Sequence, residues 1–388
     1  MITVGIVAEF NPFHMGHKYI IDYAKNTLNA DNIIIIMSGD FVQRGTLASY
    51  SKWYRTKMAL CNGADLVIEL PTRYATSSAP FFSYAAVSCL DAIKGVDYLL
   101  FGCERDSVNE VKSIIDSSNK DFVEEGKTSD DPKDIDKKLS SNAILAKAYV
   151  EALNQLNSDI KPVVLELKEE LPSASVIRDE LNYNPKALTK AMPKEALECI
   201  KDIKPASDKM LDMVLYYALK ESLATENNTE SLNNNEDLTC YLEVSKEISD
   251  RIKSHINEYA SFNDFVTLIK HKNIAYSRVK RALLHILLKH RKSAVEMSGN
   301  FDVESLVNIS YLRLLGLKKE KSFLLKETEI PVISKVSDWV NLSGEKAEKN
   351  NILSSLKEDI FAADIYDKLS FLNGNPKLNE MKNSPVIF

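Results

Sequence analysis

The chain has 388 residues but only twelve glycines and twelve prolines, roughly half the usual share of each, which excludes a collagen-like or loop-dominated architecture and favours long helices. Its five cysteines (Cys61, Cys89, Cys103, Cys199, Cys240) are odd in number and show no CxxC or Cys–His spacing. A disulfide framework and a structural zinc site are therefore not expected, and the thiols read as reduced and mostly buried. No uncharged apolar run reaches the roughly 18 residues that a bilayer span needs. The N-terminal MITVGIVAEFNPF lacks a basic n-region, and Glu9 and Asn11 break its apolar run, so it does not read as a secretory signal. These absences point to a cytoplasmic chain with no membrane partner. Positive charge is not in excess either: 49 Lys and Arg stand against 55 Asp and Glu, a formal charge of −6. That argues against a protein coated in cations for nucleic acid, but a mean hides local patches.

What is present is ordered along the chain. Residues 2–10, 32–37, 65–70, 96–102 and 162–167 are continuous β-branched or apolar runs, the kind buried on both faces of a parallel sheet. Helical patterns around 16–29, 51–62, 78–94 and 106–117 separate them, which predicts an α/β fold with a doubly wound parallel sheet. Residues 119–138 are dense in both charges and read as a solvated insertion, and 226–237 as a polar, asparagine-rich loop. After about residue 183 the strand signals stop, and 208–223, 239–258 and 276–290 repeat at helical spacing. The expected division is a catalytic, nucleotide-binding domain over 1–183 and a mostly helical domain over 184–388.

The sharpest chemical signal is GIVAEFNPFHMGHKYII (5–21). A buried strand runs into a turn and then a helix, and the first βα turn of a doubly wound sheet is where free N–H groups and the helix dipole meet phosphate. His14 and His17, three residues apart, can face one side of that helix start and donate to phosphoryl oxygens. Gly16 between them would let a nucleotide approach the backbone. No carboxylate stands where it would complete a metal ligand set, so no metal-binding residue is expected. A second signal is SASVIRDEL (173–181), directly after the fifth strand, where Ser173 or Ser175 can cap a short helix, Asp179 and Glu180 suit its positive end, and Arg178 can reach phosphates. A third is the run 270–292, with eight Lys or Arg, three of the six histidines and no acid. Its apolar stripe Val279, Leu283, Ile286 and Leu287 leaves the cations on other faces. With Lys318, Lys319 and Lys321, this run reads as a phosphate-backbone patch.

The strand–HxGH–helix arrangement resembles the nucleotidyltransferase superfamily. SGDFVQRGTLASYSKWYRTKMALCNGADLVIELPT (38–72), FGCE (101–104) and SSNAIL (140–145) look like successive motifs of its tRNA(Met) cytidine acetate ligases. YSRVKRALLHILL (276–288) and YLRLLGLKKEKSFLL (311–325) resemble that family's C-terminal helical region. Cys103 stands where a serine is more typical.

The resemblance implies an ATP-dependent ligase that joins acetate to the wobble cytidine of elongator tRNA(Met) through acetyl-adenylate, with Mg²⁺ on the phosphates. It implies His14, His17 and Arg178 as catalytic groups. It places ATP against Val7, Ala8, Glu9, Phe10, Asn11, Pro12, Phe13, His14, Met15, Gly16, His17, Lys18, Tyr19 and Ile20, together with Gly102, Asn142 and Arg178. Gly102, just past the fourth strand, would leave room for a nucleotide, and Asn142 would cap its helix or touch ribose. Gln43, Arg44, Lys52 and Arg55 follow the second strand. Lys52 and Arg55, with Arg278, Lys280 and Arg281, are candidate contacts to pyrophosphate or RNA. The other readings are a small-molecule adenylyltransferase, which rarely carries some 200 further helical residues, and a tRNA-binding protein with a vestigial nucleotide site. An aminoacyl-tRNA synthetase is disfavoured because no KMSKS-like loop follows.

Overall fold

The computed structural model describes residues 1–118, 140–168, 170, 174–181, 185–227, 237–272, 274–299, 302–340 and 347–388. The 119–138 insertion, Ser173 and residues 228–236 of the asparagine-rich loop lie outside the described residues.

The five apolar runs form strands β1 (Thr3–Ala8), β2 (Asn32–Ser38), β5 (Leu66–Leu70), β6 (Tyr98–Cys103) and β7 (Lys161–Glu166), and a short hairpin, β3 (Phe41–Val42) with β4 (Thr46–Leu47), follows β2. All seven residues of β2 are buried. Its side chains alternate between two cores: Ile34 and Ile36 pack on one face, Ile33, Ile35 and Met37 on the other. That two-faced burial is why the run carries no polar alternation. Burying each such side chain contributes about 1.5–3 kcal/mol.

Helices of eight or more residues cover both faces. In the first half these are α1 (Met15–Asn26), α2 (Lys52–Cys61), α3 (Ala79–Ile93), α4 (Arg105–Ser118), α5 (Ser141–Gln155) and α6 (Ala174–Leu181); in the second they are α7 (Asp212–Asn227), α8 (Lys246–His255), α9 (Phe262–Ile269), α10 (Tyr276–Leu287) and α11 (Ala347–Leu372). The fold is thus α/β, a mostly parallel sheet flanked by helices.

One expectation is corrected. The strands do not stop at residue 183: β8 (Leu312–Leu317), β9 (Val332–Ile333) and β10 (Val386–Ile387) extend the sheet, whose order is β10-β8-β5-β2-β1-β6-β7 with β9 on β8. β8 pairs antiparallel with β5, so the segment read as helical over 311–325 opens with a buried strand. Its apolar run LRLLGL is too short to separate strand from buried helix by periodicity. Cores also cross the expected division at 183/184. Phe41 and Leu47 of the hairpin pack with α7–α10 and with Tyr366 and Leu369 of α11.

The strand order reverses at β1, with β2 and β5 added on one side and β6 and β7 on the other, all parallel. β1 pairs with β2 over six residues but with β6 only at Val4↔Tyr98 and Gly5↔Leu99. Beyond Gly5 the two strands part, which opens a crevice at their C-terminal ends, the position where doubly wound sheets bind ligands.

Candidate active site

The crevice holds a cavity of about 730 Å³, in the range of sites for sizeable small ligands. β1 delivers Val7 and Ala8 to its wall, and the turn after it delivers Glu9, Phe10 and Asn11; Phe10 lies in the left-handed region at φ 47. α1 then begins with His14 as its N-cap.

The local geometry follows from the HxGH spacing. His14 Nδ1 accepts the Gly16 N–H at 3.0 Å, and His17 Nδ1 accepts the His14 N–H at 3.2 Å. This is a reciprocal capping box in which imidazoles stand where Ser and Glu usually do. Because Nδ1 accepts in both rings, the neutral tautomer of each carries its proton on Nε2 and is a donor there. The rings stack at 3.8 Å between centroids, and Phe10 and Phe13 pack against His17 at 4.9 and 5.6 Å. Burial, and then the Arg178 charge, lower the His14 pKa to about 4, and burial with His14 beside it lowers that of His17 well below its ordinary value. Both imidazoles are neutral donors at pH 7.

Gly16 is explained differently from the expectation. A Cβ there would lie 2.8 Å from His14 Cε1, so the missing side chain makes room for the capping imidazole. Gly102 likewise lines the cavity, but a Cβ on it would meet Leu167 Cδ2 at 2.5 Å. Asn142 reaches the cavity while donating to Glu104 at 2.7 Å; the cap of α5 is Ser140. Arg178 lines the cavity from α6 and donates to the Asn11 carbonyl at 2.8 Å, tying the last βα unit to the first. Ser175 sits inside the first turn of α6, and Asp179 lies beyond that turn. Of the 7–20 segment, Pro12, Phe13, Met15, Lys18 and Tyr19 lie off the cavity wall. Phe13 is wholly buried, and Lys18 pairs with Asp22 along α1.

The sequence reading missed Lys168 and Arg105, which join Arg44, Arg178 and Arg281 as cations on the cavity wall. A signal existed, since Lys168 directly follows β7 and Arg105 closely follows β6, both at C-terminal strand ends. Asn11 adds a buried Nδ2 with no partner among the described residues, while its Oδ1 accepts from Ser49. Five cations, two imidazole donors and an unsatisfied amide suit a polyanion. Among the described residues no group of three His, Cys, Asp or Glu is placed to hold a metal ion.

Three expected RNA contacts are contradicted. Lys52 is buried, with Nζ 2.9 Å from both Glu69 carboxylate oxygens and 3.2 Å from Glu380. Arg55 is also buried and donates to the carbonyls of Tyr50, Glu9, Ser38 and Gly39, holding the ends of β1 and β2 in place. Lys280 pairs with Asp208 at 2.8 Å beneath the Phe262 and Tyr276 rings. Arg278 is exposed, whereas Arg281 pairs with Glu243. Lys318 and Lys321 are tied to Asp65 and to Asp31 and Asn32, at the starts of β5 and β2. They lie at the opposite end of the sheet from the crevice.

Comparison with known proteins agrees with this geometry. A family model described as HIGH Nucleotidyl Transferase matches residues 1–382. The chain is 33% identical to a tRNA(Met) cytidine acetate ligase of Clostridium perfringens over the whole of both chains, and 31% identical to one of Clostridium tetani, again over both whole chains. A crystal structure of Thermotoga maritima TmcAL bound with alpha-thio ATP superposes with a TM-score of 0.80 at 22% identity, covering 100% of this chain and 99% of the other.

Proposed function

The chain belongs to the HIGH nucleotidyltransferase family, among its tRNA(Met) cytidine acetate ligases, and from that premise we propose that it joins acetate to the wobble cytidine of elongator tRNA(Met) at the expense of ATP. The observation that carries the reading is the His14–His17 capping box, which leaves an Nε2 donor on each ring at the mouth of a cation-rich crevice.

In the first step an acetate oxygen attacks the α-phosphorus of ATP; the bond to the β-phosphate oxygen breaks, giving acetyl-adenylate and pyrophosphate. The two Nε2–H groups stabilise charge on the transferring phosphoryl oxygens, a task for donors that need no reorganisation. Arg178, with Arg44 beside it, holds the departing phosphates by its planar fork. In the second step the cytidine amine attacks the acetyl carbonyl, releases AMP and loses a proton. The acceptor base must be unstacked, so a single-stranded loop is the form recognised.

Mg²⁺ enters this reading on the triphosphate. Of the cavity carboxylates Glu9, Glu104 and Asp106, the first two already accept from Gln43 and Asn142, so a cation would be held mainly by phosphate oxygens, with Asp106 as the remaining carboxylate. Bound there, it would neutralise phosphate charge. The helical half and its cations distinguish this reading from a small-molecule adenylyltransferase.

Acetate-dependent exchange of pyrophosphate into ATP, measured without RNA, tests the first step. Exchange that requires acetate is expected; exchange that ignores acetate, or adenylylation of a small phosphate ester instead, would overturn it.

A further inference from the structure

Beside the crevice lies a second cavity of about 330 Å³, at the small end of the range for ligand sites. Arg281 lines both, and the first turn of α10 divides them: Ser277 faces the larger cavity and Arg278 the smaller. The start of α3 divides them in the same way, with Phe82 on one side and Phe81 on the other. The volume suits one nucleotide and is too small for a nucleoside triphosphate.

Much of the lining is apolar or hydroxyl-bearing, and its charged groups are Arg73, Glu243, Arg278, Arg281, Lys292 and Glu296. Arg278 is exposed and makes no ion pair among the described residues, and the Lys292 ammonium donates to the Val244 carbonyl at 3.0 Å. Phe81 offers a half-buried ring for stacking. Inside the smaller cavity, Glu243 holds a left-handed backbone at φ 59 and accepts from Arg281 Nε at 2.9 and 3.0 Å. A glutamate kept in that region is the sort of local strain that collects at functional sites. Burial raises its pKa, which makes it a better acceptor for an N–H.

We propose that this smaller cavity seats one unstacked pyrimidine nucleotide of the RNA, its exocyclic amine on the Glu243 carboxylate and its phosphate between Arg278 and Lys292. The proposal rests on the acetyl-transfer reading above. Arg281, which lines both cavities and pairs with Glu243, is the side chain that links this seat to the crevice. A carboxylate accepts from the cytosine amine and repels the uracil O4 carbonyl, so the cavity is selective for the base as well as attractive to the strand.

The test uses two anticodon stem–loop RNAs that differ only in cytidine or uridine at the acceptor position, titrated against the full chain. Wild-type protein is expected to prefer the cytidine RNA by roughly tenfold. Glu243→Gln is expected to erase that preference. Arg278→Ala and Lys292→Ala are expected to weaken both RNAs several-fold while keeping the ratio. ATP affinity, measured alongside, reports on the fold of each variant. Equal binding of the two RNAs by wild type, or an unchanged ratio in Glu243→Gln, would overturn the proposal. Acetate-dependent pyrophosphate exchange needs no RNA, so its absence beside an intact cytidine preference would sink the transfer reading and spare the cavity.

Discussion

His14 and His17 each spend one ring nitrogen on the backbone, which leaves the proton of the neutral ring on the other. His17→Asn separates the two uses, because an asparagine amide can still accept at the Nδ1 position but has no group at Nε2. The expected result is a loss of about 10²–10³-fold in the transfer rate with ATP affinity and melting temperature nearly unchanged; equal losses in stability would show a capping role only. The depressed pKa values also set a pH dependence. Neutral donors do not titrate near 6.5, so His17→Asn should lower the exchange rate without moving the pH profile that acetate and the phosphates set. Stability behaves differently. The unfolded His14 takes up a proton below about 6.5, while the folded one resists until about 4, so the unfolded state binds more protons in that window and stability falls with pH through it. A thermal melt series from pH 7 to 4, compared with His14→Asn, reads the slope. The place of these two residues at the crevice was legible because histidine is scarce and the pair sits at a strand–helix junction. The reason for Gly16 was not, since its neighbour proved to be the His14 ring.

The elements carry the crevice. β1 leaves β6 after Gly5 but stays with β2, and that divergence creates the space. The alternation of apolar runs with helical stretches already implied a switch point at β1. It could not reveal β8, whose six residues fit a buried strand or one face of a helix equally well. The β3–β4 hairpin was also hidden, being two residues a side, yet its turn packs against α10 at Lys280 and Arg281. Gly45 in its turn has φ 76, and a Cβ there would lie 2.6 Å from the Arg281 backbone nitrogen. Gly45→Ala is therefore expected to cost about 1–3 kcal/mol from the backbone conformation alone, more as α10 is displaced. Urea unfolding measures the loss, and a variant as stable as wild type would show that the hairpin and α10 do not depend on each other here.

Across the whole molecule, charge proves to be a matter of position. The run 270–292 carries eight cations, but Lys280, Arg281 and Lys289 are each paired with an acid from elsewhere in the helical half. Charge patterning along the sequence could not anticipate partners as remote as Asp208 and Glu221. The same holds for Lys52, which links α2 to Glu69 on β5 and to Glu380 near the C-terminus, with Arg313 of β8 closing the set at 3.0 Å. This buried cluster fastens the two halves of the chain. Lys52→Met would leave the buried Glu69 without its ion-pair partner and Glu380 with Arg313 alone, and is expected to cost about 3–5 kcal/mol, with RNA affinity of the folded protein unchanged. Denaturant unfolding and RNA titration separate the two, and weaker RNA binding at full stability would restore Lys52 to the interface. The central proposal concerns what the crevice does for an RNA. Its most direct measurement incubates the protein with ATP, isotopically labelled acetate and unmodified elongator tRNA(Met), digests the RNA and weighs the nucleosides. Labelled acetylcytidine derived from the wobble position, absent with His17→Asn, is expected; unmodified cytidine throughout, under conditions where ATP is bound, would contradict the account.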